Sequence, residues 1–445
     1  MTTTIGRGRI GVPGFARGRI LPLAPGAARA PTIQAEENFF HRHKELLLFV
    51  TLPLWGQLFH YLIDVGPFYY LSKAWPFLTL PLAAYAVVRV RSSFHTLYLL
   101  TIVYAIGVTP VLSMIWLDNG IFDAFTTTIK VWPLTYYFSM LAFLVLLAPT
   151  PTQITRTIIR LAIATYAIMW ILWIVVPVGF YASDSTISKL FMYEIERGYR
   201  IYMPVTFGII VTFYLASRLA DEPRLWMVLA ILFMLASLVY IYKQRLAIVA
   251  TLAVIGLSYV FRLPVLLRSI FVVLGLVAGV AIAIAIFVNL DKILDFLGAS
   301  LSVRQHSTAL VTEYLVNEPL RWIFGVGGTT RFGGATLAQL FGSASFYLAD
   351  LGWLGVLFEY GLIGSLMIFA LYVVAVRLPA TSEWGDAKDA AMTNALRAYV
   401  LYLLLTSSIY SAVFVPGELA AITALFLYMR RGPTAPSHTP LMCAA

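Results

Sequence analysis

The chain is built of long apolar runs separated by short polar connections. The runs extend about 17–25 residues, the length at which a helix crosses a bilayer, and few charges interrupt them. They predict twelve spans, at 46–64, 68–88, 96–117, 131–149, 157–181, 203–220, 225–241, 246–261, 266–289, 352–376, 397–415 and 418–430. The longest polar interruption is 290–351, followed by a shorter loop at 182–202 and a tight turn at 242–245. The expected fold is all-α: a polytopic transmembrane bundle with a long external loop that carries amphipathic helices.

Composition supports this pattern. Of the 445 residues, 60% are hydrophobic and 12% charged, less charge than a soluble surface needs. The formal net charge of +10 is therefore no nucleic-acid signature; it is what a multi-span protein gathers on its cytoplasmic loops. With the N-terminus inside, cytoplasmic segments hold twenty of the thirty-one Lys and Arg residues, from the 1–44 tail to Arg430 and Arg431 in front of the 431–445 tail. Both termini are then expected in the cytoplasm. The Gly-, Pro- and Arg-rich start lacks the apolar core of a cleavable signal peptide and reads as a disordered tail able to touch anionic headgroups. The single cysteine, Cys443, and six scattered histidines predict neither a disulfide within the chain nor a metal centre, and no cofactor. No internal repeat is evident, which weakens a reading as an inverted-repeat transporter.

The cations that stay outside against this bias carry the candidate chemistry. They are Lys73, Lys130, Lys189, Arg197, Arg200, Lys243, Arg245, Lys292, Arg304, Arg321 and Arg331, and the six arginines fall on three external connections. In the tight turn YIYKQRLAIV, Lys243 and Arg245 stand at the outer membrane surface. Arg245 either snorkels to headgroups or holds a lipid-linked phosphate, whose oxygens suit a guanidinium fork. In the 182–202 loop, Glu194 and Glu196 alternate with Arg197 and Arg200 among Tyr193, Tyr199 and Tyr202. That mixture fits either mutual salt bridges or a carbohydrate site, where rings stack on sugars and charged groups bind hydroxyls or phosphates.

The long loop opens with SVRQHSTALVTEYLVNEPLRWIFGVGG, which predicts an amphipathic helix ended by Pro319 and a glycine turn. Val303, Leu310, Tyr314 and Leu315 share one face at helical spacing, with Arg304 and His306 near the start. His306 is either a solvated loop residue or a ligand contact. The loop ends at Asp350, and Glu359 follows inside the next span. A carboxylate inside a span is costly unless paired or functional; packing is expected for Glu359 and function for Asp350.

On the Lys243-Gln244-Arg245 turn that opens a span, the external loop with Arg304 and PLRWIFGVGG, and the ending D-x8-E-x-G-L-I-G from Asp350 to Gly364, the chain resembles the O-antigen polymerase and ligase superfamily. The resemblance covers about residues 180–375. Ligases of that family tend to have a histidine-asparagine pair where Asp350 stands, so the polymerase branch is the closer likeness. The resemblance implies a GT-C-like membrane glycosyltransferase that joins polyprenyl-pyrophosphate-linked glycans, donor to acceptor, by metal-independent inverting transfer outside the bacterial inner membrane. Arg245, Arg304 and either Arg197 or Arg200 would neutralise the leaving pyrophosphate, and Asp350 would orient or deprotonate the attacking hydroxyl. Arg321, Arg331, Glu196, His306 and Lys243 are expected as further substrate contacts. Membrane lipids, a chain-length regulator and a flippase are the expected partners. A ligase or a transporter of lipid-linked sugars is the alternative.

Overall fold

A computed structural model of the chain describes residues 43–60, 62–183, 187–288, 299–328, 337–342, 346, 348–378, 387–408 and 416–431. The expected disordered tail through residue 42, Lys292, Arg331 and the segment after residue 431 lie outside the described residues. Each predicted apolar run carries a helix. Among the described residues, five helices are long and apolar enough to cross a membrane: Gly66–Arg89, His95–Leu117, Pro151–Val175, Leu225–Tyr242 and Trp353–Arg377. The pair Ile121–Lys130 and Trp132–Leu147, bent by 53°, makes a sixth if taken as one span. The chain is thus a helical, multi-pass membrane bundle. Its lipid-facing character shows in the helix Val265–Val288, where Leu266, Leu274 and Leu276 stand exposed. By contrast, the first eleven residues of Thr206–Asp221 are all buried, which places that helix at the centre of the bundle.

Consecutive helices run in alternate directions, so polar contacts sort to two ends. At one end Lys44 Nζ donates to Ala148 O at 3.0 Å, Arg262 pairs with Asp221 at 2.7 Å, and the Tyr428 hydroxyl donates to Pro149 O at 2.9 Å. At the other, the Gly417 N–H donates to Gln57 Oε1 at 2.9 Å and the Leu190 N–H to Asp64 Oδ2 at 3.1 Å. A β-hairpin marks this second end, called here the hairpin end.

The structure differs from the sequence expectation in three places. The bundle is helical as expected, but the 182–202 loop folds into an antiparallel hairpin, Phe191–Glu194 paired with Gly198–Ile201. Three residues, 195–197, connect the strands, and Gly198 at φ 68° takes the left-handed position that such a loop requires. The first predicted span, 46–64, is helical only over Lys44–Trp55; Gln57 turns the chain at φ 53°. The third difference lies in the long loop. Its helix Ala299–Val316 forms as expected, but Val303 is 39% exposed, and Val311 and Leu315 join Val326 and Phe358 in a small apolar core with Leu310 and Tyr314 against it.

After Pro319–Phe324 the FGVGG segment does not stay in the loop. Gly325, Val326, Gly327 and Gly328 are all buried. They lie against a break in Trp353–Arg377, where Gly361 has φ 60° and ψ −173°. A break in a membrane helix frees backbone groups that lipid cannot satisfy. Here the segment satisfies them: Val326 N–H donates to Phe358 O at 2.8 Å and Gly327 N–H to Glu359 O at 3.0 Å. The Tyr104 hydroxyl lies 2.7 Å from Phe324 O and 3.0 Å from Tyr360 O, tying both strands of the crossing to the helix His95–Leu117. A side chain on Gly325 or Gly361 would strike the other's backbone, so both positions need glycine. The glycines serve this crossing.

Candidate functional site

The hairpin end holds the site. Its first part is a charged patch on the hairpin. Arg200 is 6% exposed and its guanidinium pairs with Glu194, lies 3.5 Å from Met192 Sδ and sits 5.4 Å from the centre of the Tyr202 ring. Arg197 Nε approaches the same carboxylate at 3.4 Å. Burial pulls the Arg200 pKa down, Glu194 opposes that, and Arg197 adds to it. Two guanidiniums face the one carboxylate of Glu194, while Glu196 stands exposed at the hairpin tip. Lys243 adjoins it, with its Nζ beside Gly198 and 5.6 Å from the centre of the Trp173 ring.

The second part is Asp350 in the turn Leu348–Leu351, where the long loop enters the broken helix. Burial raises the pKa of this carboxyl, and the positive charge of Arg304 from the helix Ala299–Val316 holds part of that rise back. Arg304 and Asp350 therefore come within electrostatic reach across the loop. Tyr202, just after the hairpin, lies 5.4 Å from the Arg200 guanidinium and stacks on Tyr242. It joins the hairpin to the bundle.

The third part is a cleft of about 140 Å³ between Tyr202, Tyr242, Tyr402, Thr206, Gln57 and Glu418. Tyr202 and Tyr242 stack at 5.4 Å between centroids with an 8° interplanar angle, and Tyr399 stacks on Tyr402 at 5.4 Å. Glu418 Oε1 accepts from Thr206 Oγ1 and from the Tyr399 hydroxyl, both at 2.5 Å. Tyr242 ends a stretch of widened helical turn, Leu238–Tyr242, and Lys243 follows in the left-handed region at φ 55°. Such departures from regular helix gather at functional sites.

The structure sorts the sequence candidates. Asp350, Arg304, Arg200 and Arg197 converge on this end. Arg245 is the first residue of the helix Arg245–Val260 and is exposed; its neighbours Gln244 and Leu246 line the cleft, and it does not. Glu196 is exposed at the hairpin tip. His306 is exposed and stands about 200° around its helix from Arg304, on the other face. Arg321 is held in packing: its guanidinium lies 4.4 Å from the Tyr314 ring centre and 5.0 Å from that of Trp116, and it donates to Tyr314 O at 3.3 Å. Glu359 pairs with Lys130 while only 1% exposed, in keeping with the packing role expected for it. Arg331 lies outside the described residues.

The cleft itself has no counterpart among the sequence candidates. Gln57 and Glu418 fall on predicted spans and attract no attention there, although a carboxylate at the start of the run 418–430 is the kind of intramembrane charge that marks a site. Among the described residues, no group of three or more His, Cys, Asp or Glu side chains is placed to hold a metal ion. No family model matches the chain, and no curated protein matches it in sequence.

Proposed function

We propose that the chain is a membrane glycosyltransferase that polymerises polyprenyl-pyrophosphate-linked saccharide repeats, with its reaction centre at the hairpin end. The observation that supports this reading is the packing of the Arg304 helix against the Asp350 turn, together with the Arg197–Glu194–Arg200 group on the hairpin. One pole supplies positive charge for a departing diphosphate, the other a carboxylate whose raised pKa suits it to take a proton. In the reaction, the acceptor hydroxyl oxygen bonds to the anomeric carbon of the donor as the bond from that carbon to the pyrophosphate oxygen breaks. The hydroxyl proton passes to Asp350 and the polyprenyl pyrophosphate leaves as an anion facing Arg304 and Arg200. Arg245, exposed at the membrane surface, meets headgroups or the lipid-linked phosphate on its way in.

The topology that accompanies this reading has twelve crossings, cytoplasmic termini and a hairpin end facing outward from a bacterial inner membrane. It rests on the twenty Lys and Arg residues assigned to the opposite face. A chain-length regulator and a flippase are the partners such a polymerase needs. In membranes supplied with lipid-linked repeats, Asp350→Asn lowers polymer formation by about 10²–10⁴-fold, the usual share of a general base. Wild-type rates in that variant sink the base role.

A second reading, a transporter of lipid-linked sugars, draws on the broken helix at Gly361 and the buried Lys130–Glu359 pair, features that line substrate paths in transporters. Polymer made by the purified chain alone in detergent, where there are no two compartments, decides for the transferase.

A further inference from the structure

The cleft between Tyr202, Tyr242 and Glu418 has a polar inventory that its own walls leave unused. Both hydrogen bonds received by Glu418 land on Oε1, and among the described residues none reaches Oε2. Gln57 is 3% exposed; its Oε1 accepts from the Gly417 N–H at 2.9 Å, and its buried Nε2 has no partner. Gly417 adjoins Glu418, so the spare amide donor and the spare carboxylate acceptor belong to one corner of the cleft. A buried amide donor without a partner loses its hydration for nothing in return, and Gln57 also holds a left-handed backbone, φ 53°. Two such costs at one lining residue point to a group that enters and satisfies it.

The shape and chemistry of the space narrow the ligand. A cleft of about 140 Å³ has room for roughly one ring. Its walls are largely apolar, with Leu58, Leu62, Ile209 and Leu403 beside the tyrosines of the Tyr202–Tyr242 and Tyr399–Tyr402 stacks. A donor beside an acceptor matches a hydroxyl group, which both accepts and donates. An acyl chain would leave both polar groups unsatisfied, and an anion would meet the Glu418 carboxylate.

We propose that this cleft is a binding site for one neutral, polyhydroxylated sugar ring, with Gln57 Nε2 donating to a ring hydroxyl and Glu418 Oε2 accepting from it. It rests on the transferase reading for the assignment of that ring to the acceptor saccharide, whose next hydroxyl then points toward Tyr202 and Asp350. Glu418 acts here as a ligand contact that excludes acidic sugars. It takes no proton from the reacting hydroxyl.

The test needs no turnover. The full chain is placed in phosphatidylcholine nanodiscs, free of sugar-based detergent, and probed by saturation-transfer NMR with glucose, galactose, mannose, rhamnose, N-acetylglucosamine, N-acetylgalactosamine and glucuronate. The wild type binds at least one neutral sugar, and at least tenfold more tightly than glucuronate. Gln57→Asn, which keeps a residue tolerant of the left-handed backbone, weakens that neutral sugar at least tenfold. Glu418→Gln removes the discrimination against glucuronate, while Glu222→Gln at the opposite end changes nothing. Absence of transfer to every neutral sugar from the wild type overturns the proposal without any variant having to fold. Equal binding of glucuronate, or displacement of the sugar by decanoate, which would make the cleft a lipid slot, also overturns it. Sugar binding that survives while polymer formation proves independent of Asp350 and Arg304 removes the transferase reading and leaves the cleft.

Discussion

Arginine–glutamate–arginine groups stand at both ends of this bundle. At one end Glu45 accepts from Arg156 at 2.7 Å and from Arg160 at 2.6 Å, and both arginine side chains are 54% exposed. At the hairpin end Glu194 stands between Arg197 and Arg200, and the Arg200 side chain is 8% exposed. The charge count is the same, but the surroundings are not. In solvent the surplus positive charge is screened within about a Debye length, and such pairs contribute little to stability. Where the Arg200 guanidinium is buried, the field is screened less. The same charges are thus solvated at one end and partly buried at the other.

The comparison can be broken by removing one charge at a time. The largest effect is expected at the other ion pair on the hairpin side of the bundle. Lys130→Ala removes the cation paired with the buried Glu359 and costs about 3–5 kcal/mol, measured as unfolding by SDS in detergent micelles. A loss below about 1 kcal/mol shows that this pair is solvated like those opposite. Glu194→Ala comes next: it leaves Arg200 buried without its carboxylate and costs about 1–3 kcal/mol, read in the same titration.

A smaller effect is a shift in pH dependence. Burial raises the Asp350 pKa and Arg304 restrains the rise. Transfer that needs ionised Asp350 falls off on the acid side at a higher pH than a solvated aspartate gives. Arg304→Gln removes the restraint, so the acid limb moves further up in pH; a limb that stays put separates the two residues functionally. The smallest change is at the exposed group, where Glu45→Gln costs less than about 1 kcal/mol and leaves polymer formation intact.

Much of the bundle is legible in the sequence because apolar length alone requires a helix in lipid. Every predicted run carries one, and Ala299–Val316 emerges from its periodicity. The hairpin has a local signature: Glu194 to Gly198 has the three-residue loop and glycine that close two short strands. The sequence brings Asp350, Arg304 and Arg200 forward because charges are rare and these stand outside. Arg321 looks the same in sequence, and only the positions of Trp116 and Tyr314 reveal that it is packed. The crossing of FGVGG with Gly361 and the Gln57–Glu418 corner join residues 36 and 361 positions apart, and no local pattern announces either.

The central claim is that the hairpin end works on substrate and the opposite end does not. The most direct test is a matched pair, Arg304→Ala and Arg156→Ala, expressed at equal levels in cells that lack the native chain, with polysaccharide length and amount read on gels. The account predicts that Arg304→Ala abolishes long polymer while Arg156→Ala leaves the wild-type pattern. A wild-type pattern in Arg304→Ala, or equal loss in both, contradicts it.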